Sequence, residues 1–167
     1  MLKIALLTFA VLLVYGEAKK SSSSSGEHNS SLIRARYLGY TAKTIVSRAK
    51  HTVEQIAMST TRFEGKVLSR PTQICLDRAR QQFILQNTPY VQTLYEPIIK
   101  TTDKIEELLG GKMSKKERKK LEKQLPRLLE EISQQMRANE DMVKSHLRED
   151  AITLKHEADL CLREQHL

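Results

Sequence analysis

The chain has no tryptophan, and only five Tyr and three Phe among 167 residues. Six Gly and four Pro give few turn signals, and regular alternation of apolar with polar residues is rare. These shortages exclude a sandwich or barrel of many short strands. Sequence signatures of chemistry are equally sparse. No glycine-rich phosphate loop is present. Ser47-Arg48-Ala49-Lys50 has the Ser-x-x-Lys spacing of some acylating enzymes but none of their companion motifs. His156-Glu157 begins like a zinc-binding helix motif, yet Leu160 stands where its second histidine is needed. His28, His51, His146 and His166 have no ligand spacing among themselves. The sequence therefore reads as non-enzymatic, with no metal and no cofactor.

The first residues carry a positive signal. Met1-Leu2-Lys3 is a short basic start, and Ile4 to Tyr15 is an apolar run interrupted only by Thr8. Gly16-Glu17-Ala18 then places small residues at the −3 and −1 positions of a cut after Ala18. This is the layout of a cleaved secretory signal peptide, residues 1–18. The run is shorter than the roughly 20 residues a membrane span requires, so stable insertion is not expected. Residues 19–31 hold a run of serines and almost nothing apolar, which predicts a disordered Ser-rich tail. Asn29-Ser30-Ser31 is an N-glycosylation sequon within it.

From Leu32 onward the abundant residues are good helix formers, and the apolar positions recur with a helical period. Residues 32–167 are expected to form one all-α domain, an elongated up-down-up antiparallel bundle. The first stripe is Leu38, Ala42, Ile45, Ala49, Val53, Ile56, Thr60, Phe63 and Val67, predicting a helix over about 32–68. Pro71 stops it, because the residue before a proline avoids the helical region. A second helix is expected over 71–87 and a third over 89–109, with Thr88 as N-cap before Pro89 and a kink at Pro97. Gly110-Gly111 ends it. Ser114 and Glu117 have capping-box spacing and open a last helix over 114–165. The apolar steps along it average about 3.6 residues, which favours a bundle helix over a supercoiling heptad repeat.

Cys75 and Cys161 are the only cysteines, and both fall on apolar stripes toward the same end of such a bundle. An even count in an exported chain predicts a disulfide between them. One difficulty is visible: Cys161 lies about twelve residues farther from the last turn than Cys75 does, an offset of about 18 Å along a helix. An extended break at 87–89 and a bend at Pro126 are expected to recover it.

The net charge is +8. Lys112, Lys115, Lys116, Arg118, Lys119, Lys120 and Lys123 fall within twelve residues, opposed only by Glu117 and Glu122. Positive charge at a helix start opposes the helix dipole. A local rule broken without a visible gain is where function tends to reside. These seven residues are the candidate polyanion site. The partner would be an extracellular macromolecule, such as a sulfated glycan or another protein. Nucleic acid is not expected for an exported chain poor in stacking aromatics. The alternative is carriage of a lipid or small apolar ligand between the helices, suggested by Ala49, Ala57, Met58, Met136 and Met142.

Overall fold

The computed structural model describes residues 24–63, 67–111 and 114–163. They form three helices, α1 (Ser24–Thr60), α2 (Arg70–Gly110) and α3 (Lys115–Arg163). Each packs against the other two, and no strand occurs among the described residues. The chain runs up, down and up, giving the expected all-α bundle. The expected signal peptide and residues 19–23 of the expected tail lie outside the described residues.

The stripes read from the sequence form the core. Leu38, Ala42, Ala49 and Val53 of α1 meet Phe83, Val91, Tyr95 and Ile98 of α2 and Leu125, Ile132, Val143 and Leu154 of α3. Ala35, Ala57 and Leu129 extend this core beyond the positions the periodicity picked out. Val67, read as the end of the first stripe, is 94% exposed, because it stands beyond the helix.

Helix boundaries differ from expectation in three places. α1 begins at Ser24, so residues 24–31 are helical although they were expected to belong to a disordered tail. Only helix nucleation is costly, and a packed helix is extended at little expense through polar residues. α1 also ends at Thr60, eight residues before the expected stop. Arg80 of α2 explains this end. Its guanidinium donates to the Thr61 hydroxyl at 2.6 Å and to the Thr61 carbonyl at 3.2 Å. A continuing helix would need that carbonyl, and a cation at a helix C-terminus is favoured by the dipole.

The third difference is that α2 is one helix of 41 residues with Pro89 and Pro97 inside it. There is no break at 87–89, and the buried Thr88 hydroxyl has no hydrogen-bond partner rather than acting as an N-cap. An interior proline removes one N–H and crowds the carbonyl four residues earlier. Pro89 and Pro97 are exposed, and so are Leu85 and Thr93, the residues whose carbonyls lose a donor. The defect therefore sits on the wet side of the helix, while Asn87, Val91, Tyr95 and Ile98 pack on the dry side. The start of α2 is well capped: the Ser69 hydroxyl accepts from the Thr72 N–H, and Pro71 occupies the first turn.

The expected disulfide is formed, with Cys75 and Cys161 joined and their Cα atoms 5.8 Å apart. The offset of about twelve residues is absorbed differently from expectation. Asn87 bonds Asp150, Tyr90 stacks on His146, and the Asn139 amide donates to the Leu94 carbonyl at 2.6 Å. The two helices thus run in near-constant antiparallel register from the disulfide upward. Extended to the end of α2, that register sets Gly110 level with about residue 125 of α3. The first ten or so residues of α3 consequently project about 15 Å past α2.

α1 approaches α2 most closely at Gly39. A Cβ placed there would lie 2.7 Å from Thr102 Oγ1 and 3.1 Å from Thr102 Cβ. Thr102 is fully buried, and its hydroxyl donates to the Ile98 carbonyl. Gly39 is thus where the backbone of α1 rests against the Thr102 side chain.

Candidate interaction surface

The projecting end of α3 carries the basic cluster. Its start is fixed by the capping box: the Glu117 N–H donates to Ser114 Oγ at 3.3 Å, and the Ser114 N–H donates to Glu117 Oε2 at 3.1 Å. The Ser114 hydroxyl also donates to Glu117 Oε2 at 2.7 Å. These bonds, from the hydroxyl first and then the backbone, hold the Glu117 carboxyl below its ordinary range. One acidic residue is thereby tied to the helix start as a carboxylate.

Lys116, Arg118, Lys119, Lys120 and Lys123 are all exposed. Lys112 and the side chain of Lys115 lie outside the described residues. Lys116, Lys119 and Lys123 follow at steps of three and four, so they share one side of α3. Glu130 continues that side seven residues later, where it accepts from Arg34 of α1 at 2.8 Å. Arg34 and Arg137 keep the Glu130 carboxyl ionised to lower pH than usual, the Arg34 hydrogen bond being the larger cause. Arg118 occupies the continuation of the apolar stripe of Leu121 and Leu125, at a level where α2 has ended.

Cations elsewhere in the bundle divide: Arg48, Arg70, Arg78, Lys104, Arg148, Lys155 and Arg163 have no carboxylate within ion-pair distance among the described residues, and others are paired. Lys43, Lys50, Lys100 and Lys144 each lie within ion-pair distance of a carboxylate. Arg34, Arg36, Arg80 and Arg127 do as well. The five described cations at the start of α3 have no carboxylate partner among the described residues. A cluster of exposed cations at a helix start has donors that can reach sulfate or phosphate oxygens.

The interior offers much less room for a ligand. One partly open space of about 30 Å³ lies among the helices, lined by Ala49, Val53, Tyr95, Glu140, Val143 and Leu147 among others. That is the share of liquid volume taken by about one water. A shallow groove of about 340 Å³ runs between α1 and α2, over Val46, Pro89, Gln92 and Ile99. Ala49 and Ala57 pack in the core, whereas Met58 and Met142 face solvent, 59% and 48% exposed. The residues that suggested a carrier are thus not gathered around a cavity. Asn29 lies within α1. Ser47, on the exposed side of α1, donates its hydroxyl to the Thr44 carbonyl. Among the described residues no three His, Cys, Asp or Glu side chains converge as metal ligands.

Sequence reading missed the exposed apolar face of α1. Ile33, Tyr37 and Tyr40 are 60%, 46% and 71% exposed. They follow at steps of four and three, out of phase with the core stripe of Ala35, Leu38 and Ala42. That second phase is the signal that would have found them. No protein-family model, curated protein or solved structure matches the chain.

Proposed function

We propose that this is a secreted, non-enzymatic binding protein that engages a polyanionic extracellular macromolecule through the basic end of α3. The observation that carries the reading is the concentration of five exposed cations, with no carboxylate partner among the described residues, in the eight residues 116–123 at the start of α3. Secretion is supported by the signal-peptide layout of residues 1–18 and by the Cys75–Cys161 bridge, since disulfides persist in oxidising compartments. Among the described residues no helix is long and apolar enough to cross a membrane.

Carriage of an apolar ligand is the weaker reading. A space of about 30 Å³ between the helices does not admit an acyl chain unless they part. The test of the favoured reading is retention on immobilised heparin. Replacing Lys115, Lys116, Lys119 and Lys120 by Gln lowers the salt concentration needed for elution, while the helical circular dichroism is kept. Elution of the quadruple variant with the wild type assigns the cluster a solubilising role only.

A further inference from the structure

Between Glu27 and Glu54 the chain has no Asp or Glu, and this stretch of α1 holds Arg34, Arg36, Lys43, Arg48 and Lys50. The buried Ala35, Leu38, Ala42 and Ala49 mark the inner side of the helix. Opposite them, at steps of three and four, the outermost positions run from Ile33, Tyr37 and Tyr40 to Met58, all exposed. Thr44, Ser47, His51 and Gln55 lie between, so this outer line carries no Asp, Glu, Lys or Arg. The side of a bundle helix that faces away from the core is normally where charge collects. Here the charge stands beside that line instead, and it is positive. Arg36 and Lys43 lie along the Tyr40 side and bond Glu106 and Asp103 of α2. Arg34 and Arg48 lie along the Tyr37 side. Arg34 bonds Glu130 of α3, and the exposed Arg48 has no carboxylate within ion-pair distance among the described residues.

We propose that the outer face of α1 docks on an anionic lipid surface. Ile33, Tyr37 and Tyr40 enter the headgroup layer, and Arg34, Arg36, Lys43 and Arg48 meet its negative groups from both sides. This site is separate from the basic start of α3 and does not depend on the polyanion reading. Tyrosine suits the boundary of a bilayer because its ring is apolar and its hydroxyl stays wet. Arginine suits it because the stem can lie along apolar surface while the guanidinium reaches phosphate. The ion pairs to α2 and α3 use only part of the five donors of each guanidinium. A second copy of the chain is a poorer occupant, since α1 against α1 would bring two acid-free, cationic stretches together. A soluble polyanion supplies charge but covers neither Ile33 nor the tyrosine rings. The polar Thr44, Ser47, His51 and Gln55 limit the contact to the headgroup layer, and among the described residues no helix is long and apolar enough to cross a membrane.

The test is co-sedimentation of the full chain with phosphatidylcholine vesicles, with and without phosphatidylserine. The wild type is expected to bind the phosphatidylserine vesicles, to bind the neutral ones far less, and to be released as salt is raised. Changing Ile33, Tyr37 and Tyr40 together to Ser should weaken vesicle binding at least about tenfold. The same variant should keep its helical circular dichroism and elute from heparin with the wild type. The quadruple lysine-to-glutamine variant of α3 should retain most of the vesicle binding. Wild-type vesicle affinity in the serine variant overturns the proposal, and so does equal, salt-insensitive binding of both vesicle types. Loss of vesicle binding in the quadruple variant alone overturns it too, by assigning the lipid contact to α3. Absence of vesicle binding, together with a dimer that the serine variant abolishes, assigns the face to a second copy instead. None of these results touches the polyanion reading, which stands or falls on heparin elution of the quadruple variant.

Discussion

At one end of the bundle Cys75 is bonded to Cys161, and Leu76 and Ala158 close around them with Phe63 and Leu68. At the other end α2 has stopped, α1 and α3 run on, and the exposed residues at the start of α3 are mostly lysine. Both ends pack apolar side chains, with Ala35, Leu109 and Leu125 buried at the second, yet only the first is also held by a covalent bond. Cooperativity within a bundle of this length is not required to be uniform. Local opening is expected wherever buried contacts thin out. The difference suggests a division of labour. The bridged end keeps α2 and α3 in register, and the unbridged end presents charge.

The sharpest way to break this contrast is to remove the bridge. Cys75→Ser with Cys161→Ser is expected to destabilise by about 4–5 kcal/mol, the chain-entropy value for a closed loop of 86 residues. Urea titration measures it, and hydrogen exchange should show residues near 154–161 losing their protection. A loss well under 1 kcal/mol would mean that apolar packing alone holds that end.

Next in size is Gly39→Ala. The added Cβ meets Thr102, a β-branched and fully buried side chain that has little room to yield. Overpacking typically costs about 1–3 kcal/mol, set against a gain of about 1 kcal/mol in helix propensity. A net loss of about 1–2 kcal/mol is expected, seen as a lower urea midpoint. Adding Thr102→Ala should recover part of it, so the pair is non-additive in a double-mutant cycle. Strict additivity would show that Gly39 does not set the spacing of α1 and α2.

Alkaline pH probes the middle of the bundle, between the two ends. Burial, then the nearby charge of Glu140, pushes the Tyr95 hydroxyl up to about 12 from its ordinary 10.0. The folded state thus disfavours phenolate. This contribution is fully present below pH 10 and is lost as pH rises toward about 12. Tyr95→Phe should flatten the fall of stability across that window. A wild-type slope in the variant would place the alkaline transition elsewhere.

The smallest effect is expected at the unbridged end. Glu117 titrates below its ordinary 4.5 because Ser114 stabilises its carboxylate. Its contribution is present above that ordinary value and is lost as pH falls through the lowered one. Acid should therefore speed amide exchange at about 115–123 without touching the disulfide end. The same lysine-to-glutamine variant that is expected to lose heparin should fray less there, since it relieves the conflict with the helix dipole. Equal acid sensitivity at both ends would remove the contrast.

The stripes, the disulfide partners and the capping box were legible because each depends on local spacing or on a count of two. Helix ends were less so. Arg80 stops α1 from another helix, and no pattern around Thr60 announces it. The continuity of α2 was hidden for a related reason. Proline is read as a break unless its face is known, and the exposed setting of Pro89 and Pro97 exists only after packing. The offset between the cysteines was visible as a number, but its remedy was not. Asn139 and Asn87 set the register through a backbone carbonyl and a carboxylate on other helices or turns, contacts with no signature in one dimension. Of the candidate surface, the lysines could be found by counting. Tyr37 and Tyr40 could be found as well, through a second phase of spacing out of step with Leu38 and Ala42.

The bridge also has a topological meaning. It ties α2 to α3 and leaves α1 joined to them by one stretch of backbone only, residues 61–69. The two connections are therefore not equivalent to a protease. A cut between α2 and α3 gives two chains that remain one molecule until a reductant arrives. A cut between α1 and α2 leaves α1, with Arg34, Tyr37 and Tyr40, attached by noncovalent contact alone. One peptide bond in that connection thus separates a permanent helix pair from a helix that can be surrendered.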